Sequence, residues 1–387
     1  PFWSVGTGWN IHNEKFLKGS PFQLLKLRAS LGYLGNISFE PYQALTMYTS
    51  LAGLNYIKGI GAVPMGIGNK NLKWERTLSA NLGLDLTMFK GRWDFSADVY
   101  VKNTDNLLLD ITKAPSLGIT TSRENVGEVE NHGFEFQTRV IPIKNKDWEW
   151  SLSLNYAYNK NKIKKISNAL REQNEKNQAK GGVTPLPIYE EGQSLTALKV
   201  VSSAGIDPIT GNEVFIKRDG SLTFVYDPND KVVYGDTTPF GMGSLGSYLT
   251  YKQFSMGMSM RYSFGGAVYN QTLASKVEGA DPRYNADERV FSSRWKEVGQ
   301  QAKYKRISDS SVPMQTSRFV ETNNYITLSS LSLAYEVPLT FIKRYGLKRL
   351  HLEMLANDLF YLSSVKRERG LSYPYERSVE FSVRLGF

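Results

Sequence analysis

The sequence of 387 residues contains no cysteine, only three histidines and no apolar run long enough for a membrane-spanning helix. The lack of cysteine excludes disulfide bonds and thiolate metal sites, and it is compatible with an oxidising compartment outside the cytoplasm. The mean hydropathy of -0.36 agrees with the lack of apolar runs. Aromatic residues are plentiful, with 7 Trp, 22 Tyr and 19 Phe.

The last residues of the chain alternate strictly between apolar and polar side chains. The apolar positions are Val379, Phe381, Val383 and Leu385, and the sequence ends on Phe387. In a membrane β-barrel, lipid-facing and lumen-facing side chains alternate along every strand, and a terminal aromatic residue is typical of the sorting strand of bacterial outer-membrane barrels. We therefore predict a multi-pass protein of the bacterial outer membrane.

The same period of two recurs along the whole chain, which predicts an all-β fold built as an antiparallel transmembrane barrel. The alternation slips by one residue at Ser329 and Ser330, and this slip indicates a β-bulge. Eleven strands are predicted, over residues 1–9, 23–33, 74–88, 92–102, 126–140, 148–159, 246–251, 254–264, 319–337, 348–357 and 376–387.

The connections between these strands fall into two classes of length. Periplasmic turns of outer-membrane barrels are short and external loops are long. Residues 90–91, 141–147 and 251–253 are predicted as periplasmic turns, whereas 34–73, 160–245 and 265–318 are predicted as long extracellular loops. Within 160–245, the segments 213–217 and 221–226 around Asp219 and Gly220 predict a small hairpin. The dense basic patch Lys160–Lys165 is predicted as a solvated entry to this loop.

Several stretches, taken in order, resemble the SusC/RagA family of TonB-dependent outer-membrane transporters. The resemblance implies a 22-stranded barrel with a plugged lumen, of which residues 1–387 form the C-terminal part of one barrel domain. No secretory signal is present at Pro1, so we expect the natural chain to begin earlier, with the plug domain and the TonB-contacting segment upstream. The stretches are 23–36 (QLLKLRASLGYLGN), 71–75 (NLKWE), 125–135 (NVGEVENHGFE), 206–212 (IDPITGN), 317–338 and the C-terminal strand.

By this resemblance, the protein imports a large nutrient, either an oligosaccharide or an oligopeptide, with no enzymatic activity. The implied partners are a SusD-like surface lipoprotein, TonB acting through the missing N-terminal part, the outer-membrane assembly machinery, membrane lipid and lipopolysaccharide. Loop aromatics are candidates for stacking on sugar rings or for packing against the lipoprotein. These candidates are Tyr42, Tyr48, Tyr56, Tyr189, Tyr269 and Tyr284.

Two other classes of function fit the barrel pattern: a TonB-independent or multi-chain channel, and an outer-membrane scaffold or adhesin. The net charge of +10 comes from basic residues that are scattered along the chain rather than gathered into one stripe, which argues against nucleic-acid binding. A hydrolase would need a Ser-His pair, such as His351 with Ser382 on a neighbouring strand, but the pattern favours His351 as a lumen-facing polar residue. No cofactor is predicted, although oxygen ligands for Ca²⁺ are available in one external loop, from Asp227, Asn229, Asp230 and Asp236.

Deletion of Phe387 is expected to impair insertion, because the terminal strand carries both its lipid face and the sorting residue. The measurement is the amount of folded, full-length protein in outer-membrane fractions. An amount equal to that of the unaltered protein would contradict the prediction.

Overall fold

The computed structural model describes residues 2–36, 45–56, 59–66, 68–281, 283–366, 368 and 377–387. Most of these residues lie in β-strands. The α-helices of the described residues are α1 (Asn168–Ala179) and α2 (Leu339–Ile342). In chain order the strands are β1 (Trp3–Asn10), β2 (Phe22–Asn36), β3 (Met47–Tyr56), β4 (Gly59–Gly66), β5 (Glu75–Met88), β6 (Trp93–Thr112), β7 (Thr121–Lys144), β8 (Trp148–Ile166), β9 (Ala197–Ile206), β10 (Glu213–Ile216), β11 (Leu222–Thr223), β12 (Lys231–Asp236), β13 (Gly241–Tyr251), β14 (Phe254–Tyr269), β15 (Val320–Glu336), β16 (Arg349–Ser363) and β17 (Ser378–Gly386).

Eleven strands form one antiparallel sheet in the order β1-β2-β5-β6-β7-β8-β13-β14-β15-β16-β17. These are the eleven predicted strands. Within the described residues, β1 pairs only with β2 and β17 only with β16, so the sheet is open. The fold is therefore an antiparallel β-barrel sheet that covers part of a barrel.

The register places the predicted apolar faces of neighbouring strands side by side. One row across the sheet runs through Leu27, Leu84, Ala97, Phe136 and Tyr156. The side chains of this row are half-buried, and the paired Leu82 and Val99 on the same face are exposed, as expected for a surface that contacts lipid rather than a protein core. On β17, the apolar side chains of the predicted sorting strand lie on this same face, opposite those of β16.

The predicted bulge is present in β15. Ser330 pairs with Ser259 and Leu328 with Met260, so Ser329 is the extra residue. The register with β16 shifts at the same point. The extra residue restores Ile326 and Leu331 to one face, which explains why the alternation in the sequence changes phase there.

Several strands are longer than the sequence predicts, and the basic patch Lys160–Lys165 is not a loop entry. It is the end of β8, where Lys162 pairs with Glu130 and Lys165 with Glu128 of β7. The ammonium group of Lys164 lies 2.6 Å from the carboxylate of Glu130. Regular apolar alternation ends before this segment, but cross-strand ion pairs and the buried pair of Val129 and Ile163 carry the hairpin further.

The long connections also contain structure that alternation did not reveal. Residues 34–73, predicted as a loop, include the hairpin of β3 and β4. Residues 160–245 include α1 and a four-stranded sheet in the order β11-β10-β9-β12. In this sheet, β10 and β11 pair around Gly220, which has a left-handed φ of +85°.

No helix in the described part of the chain is both long and apolar enough to cross a membrane.

Replacement of Leu82 by Arg should cost about 2–4 kcal/mol of folding free energy, because Leu82 lies mid-strand on the lipid face of β5. Asn81→Arg is the matched control, since its side chain points to the opposite, polar face and contacts Asp98. Denaturant titration of the full-length protein in lipid vesicles measures both. A larger loss for Asn81→Arg would mean that the two faces are inverted.

Candidate functional site

The face of the sheet opposite the lipid rows is polar and carries an ion-pair network across three strands. Arg28 of β2 donates to Asp85 of β5 through Nε at 2.7 Å and Nη2 at 3.0 Å, and Nη2 also donates to Asp98 of β6 at 3.0 Å. The Ser96 hydroxyl donates to Asp85 at 3.0 Å. Two carboxylates and one guanidinium thus hold three neighbouring strands in register on the polar face.

A glycine on the middle strand makes this network possible. Gly83 pairs with both Arg28 and Asp98, so it lies directly between them. A Cβ atom at Gly83 would lie 2.5 Å from Asp98 Oδ1 and 2.7 Å from the Arg28 guanidinium carbon. The same arrangement recurs at Gly133, over which the Tyr100 hydroxyl reaches Asn159 at 3.2 Å. Glycine therefore lets a long polar side chain cross a whole strand.

Next to this network, the polar face forms a cleft of about 510 Å³. Its charged side chains are Asp98, Glu135 and Arg261, and Asn155 is held by a hydrogen bond to Ser244 at 2.9 Å. Carboxylate, guanidinium and amide groups together can bind hydroxyl-rich or peptide-like ligands through hydrogen bonds. The polar groups that line the cleft are Ser96, Asp98, Glu135, Gln137, Asn155, Arg261 and Tyr325.

At the end of the sheet opposite the short turns, residues 167–240, 270–281 and 283–319 pack into a folded unit, here called the loop module. Its centre is a buried ion cluster. Arg318 donates two hydrogen bonds of 2.7 Å to Glu213 and bonds of 2.6 and 3.2 Å to Glu278. Burial opposes the charge of Arg318, but the bonds and attraction from Glu213 and Glu278 outweigh it and raise the pKa of the guanidinium. The cluster ties three distant chain segments together.

Further contacts join the same segments. Val201 of β9 forms a parallel bridge with Thr316, and its N–H donates to the carbonyl of Gln315 at 3.2 Å. The N–H of Ser203 donates to the hydroxyl of Ser317 at 3.0 Å. Val201, Gln315 and Thr316 are almost completely buried. The two long connections therefore form one unit with its own interior rather than independent loops.

Lys231 is another buried charge of the module. Its ammonium group donates to the carbonyls of Asn177, Gln178 and Lys180 at 3.1, 3.0 and 2.9 Å, at the end of α1. A cation at this place satisfies carbonyls that the helix leaves without partners. The side chain is 1% exposed, and burial lowers the pKa of Lys231 to about 8. Lys231, the first residue of β12, thereby fixes the end of α1 to the start of that strand.

The candidate aromatic residues differ in their surroundings. Tyr48 on β3 and Tyr284 are 67% and 73% exposed. Tyr189 instead packs against a buried cluster of Ile111, Val126 and Leu170, and Tyr269 packs against Ala274, Val277, Tyr304 and Phe319. Tyr42 lies outside the described residues, as does the side chain of Tyr56. Tyr48 and Tyr284 are thus the candidates with rings open to a ligand or partner.

The acidic residues considered for Ca²⁺ serve separate turns. Asp227 accepts from the N–H of Asn229 at 2.8 Å, Asp230 from the N–H of Arg218 at 3.1 Å, and Asp236 from the hydroxyl of Thr196 at 2.6 Å. Among the residues that the structure describes, no three His, Asp or Glu side chains are arranged to hold a metal ion.

His351 and Ser382 do not form the pair that a hydrolase would need. The register places His351 opposite Arg384, and Ser382 opposite Glu353. The Nδ1 atom of His351 lies 2.9 Å from the carboxylate of Glu336 on β15. His351 therefore belongs to a cross-strand polar cluster.

The buried ion cluster of the loop module could not be found from sequence spacing. Arg318 lies 105 residues from Glu213 and 40 from Glu278, so no local pattern connects them. Lys231 likewise carries no signal, because its partners are backbone carbonyls. The Arg28 network was accessible in principle, since the predicted alternation already puts Arg28, Asp85 and Asp98 on one face of adjacent strands.

A family model described as "TonB dependent receptor-like, beta-barrel" matches residues 2–353. The chain belongs to this family. Barrels of this family lie in the bacterial outer membrane, which confirms the predicted localisation.

Relatives of this TonB-dependent receptor barrel include TonB-dependent receptor P3 of Formosa agariphila, 30% identical over 381 residues, with 92% of this chain and 37% of the relative covered. SusC of Bacteroides thetaiotaomicron is 30% identical over 297 residues, with 71% and 28% covered. The solved structure of the RagAB peptide transporter shows the same fold, with a TM-score of 0.80, 22% identity, and 94% of this chain and 40% of that chain covered.

These comparisons confirm the resemblance to the SusC/RagA family, and the matched proteins are receptors and transporters rather than enzymes. The chain spans less than two fifths of the length of the curated relatives it matches.

Substitution of Arg318 by Met is expected to loosen the loop module, because it leaves Glu213 and Glu278 buried without a cation. Breaking a buried ion cluster in this way costs about 3–5 kcal/mol. Hydrogen–deuterium exchange of the full-length protein should speed up in β9 and β10 while the main sheet stays protected. Arg283→Met is the control, since its side chain is 81% exposed. Equal exchange in the two variants would contradict a structural role for the cluster.

Proposed function

We propose that this chain is the barrel part of a TonB-dependent importer that carries a large nutrient, an oligosaccharide or an oligopeptide, across the outer membrane. Membership of the receptor family supports the transport class. The observation that carries the proposal is the polar face of the sheet, with its cleft of about 510 Å³ lined by charged and amide groups together with aromatic and apolar side chains. A barrel interior with such groups offers an extended, hydrogen-bonding path for a polar ligand.

TonB is the proposed source of energy, acting on the plug region that this family carries in addition to its barrel. A wide barrel filled by a plug has no open path, so import needs work done on the plug. The ion pairs of Arg28 with Asp85 and Asp98 stiffen the barrel wall on its polar face. A wall held in this way can resist the force while the plug moves.

A SusD-like surface lipoprotein is the proposed partner, docked on the loop module. The module is rigid enough to present a defined surface, because Arg318 and Lys231 fix its segments from within. It also exposes large apolar side chains that are available for contact with such a partner. The exposed apolar side chains include Val225, Tyr284, Phe291 and Val298. Tyr48 and Tyr284 are the proposed aromatic contacts to ligand or lipoprotein.

The test is uptake of labelled oligosaccharides and oligopeptides by cells that carry or lack the full-length protein. We expect uptake of one of the two ligand classes to require the protein, and a protonophore to abolish it. Affinity purification from the same cells should recover a surface lipoprotein with the unaltered protein and with Arg171→Met, whose side chain is 56% exposed, but less with Arg318→Met.

Uptake that persists after addition of the protonophore would indicate a passive channel instead. If lipoprotein binding depends on the protein while uptake of both ligand classes does not, the protein is a scaffold. Either result would contradict the proposed importer.

A further inference from the structure

The lipid-facing surface of β13 to β17 contains an apolar groove of about 480 Å³ near the short turns. Two neighbouring rows of side chains line it. The first row, which crosses all five strands, consists of Leu249, Met256, Leu333, Met354 and Phe381. The second row, one step closer to the turns, consists of Tyr251, Phe254, Tyr335, Leu352 and Val383.

The two rows differ in shape, which creates the groove. In the row near the turns, aromatic rings stand together, with Phe254 and Tyr335 at a centroid distance of 4.4 Å and Tyr251 at 4.1 Å from Trp148. Phe381 is 78% exposed and projects from the other row on β17. Met256, Leu333 and Met354 line the groove as well, and unbranched methionine side chains adapt readily to a flexible partner.

A cation lies at the turn end of this groove. Lys252 occupies the two-residue turn between β13 and β14, and its ammonium group lies 5.3 Å from the centroid of the Tyr251 ring. The backbone N–H of Lys252 donates to the carbonyl of Asp147 at 2.8 Å, which fixes the turn against the neighbouring one. An apolar groove that ends at aromatic rings and an ammonium group matches an acyl chain with a phosphate at its end.

We propose that this groove binds one glycerophospholipid of the periplasmic leaflet, with an acyl chain along the groove and the phosphate at Lys252. Short turns mark the periplasmic side of such barrels, so the groove lies at the depth of that leaflet. Apolar burial alone does not favour a protein surface over other lipid tails. Retention therefore depends on the shape of the groove and on the attraction between the phosphate and Lys252.

The experiment is native mass spectrometry of the delipidated full-length protein, titrated with dioleoylphosphatidylethanolamine or with dioleoylglycerol, which lacks the phosphate. Leu333→Trp fills the groove, and Leu82→Trp is the control on the lipid face of β5, far from it. Lys252→Asn removes the charge while keeping a residue that tolerates the left-handed φ of 52° in the turn.

We expect the unaltered protein and Leu82→Trp to bind one phospholipid saturably, and Leu333→Trp to bind it at least about tenfold more weakly. Lys252→Asn should weaken binding of the phospholipid but not of dioleoylglycerol. Equal binding by Leu333→Trp and Leu82→Trp would overturn the proposal. If Leu333→Trp instead abolished a protein dimer and left lipid binding unchanged, the proposal would also be overturned. The groove would then be a contact between two copies of the chain.

Discussion

Backbone hydrogen bonding in a bilayer is the constraint on which the whole structure depends. Because lipid offers no partner to a peptide N–H or C=O, each strand must pair with its neighbours, and each must turn apolar side chains outward. The eleven-stranded sheet meets this condition from β2 to β16, with apolar rows on one face and the Arg28 network on the other. The lipid surface, the polar cleft and the phospholipid groove all follow from that single alternation.

The same constraint explains what the sequence could predict. Alternation is a local pattern imposed by the membrane, so the eleven strands and the bulge at Ser329 were visible without a structure. The residues outside the membrane are not subject to this requirement for alternation. There the Lys162–Glu130 pairing extends β8, and the interior of the loop module depends on Arg318 meeting Glu213 across 105 residues. Contacts of that range leave no period in the sequence.

The barrel wall and the loop module are held together by different interactions. The barrel wall is held by main-chain pairing, while the module is held by buried charges, each satisfied by several partners: Arg318 by two carboxylates and Lys231 by three carbonyls. Such clusters specify one arrangement of distant segments, since any other would leave a charge unpaired. A module fixed from within offers a lasting surface above the polar cleft, as the proposed capping partner requires.

We expect the strands to cross the outer membrane with the loop module outside and the short turns in the periplasm. Single cysteines test it directly, because this stretch has none of its own. Asp219→Cys, in the β10–β11 turn, and Lys146→Cys, in a short turn, would be introduced into full-length protein without other reactive cysteines. On intact cells, an impermeant maleimide should label Asp219→Cys alone, and Lys146→Cys only after the outer membrane is opened. Labelling of Lys146→Cys on intact cells would contradict the account.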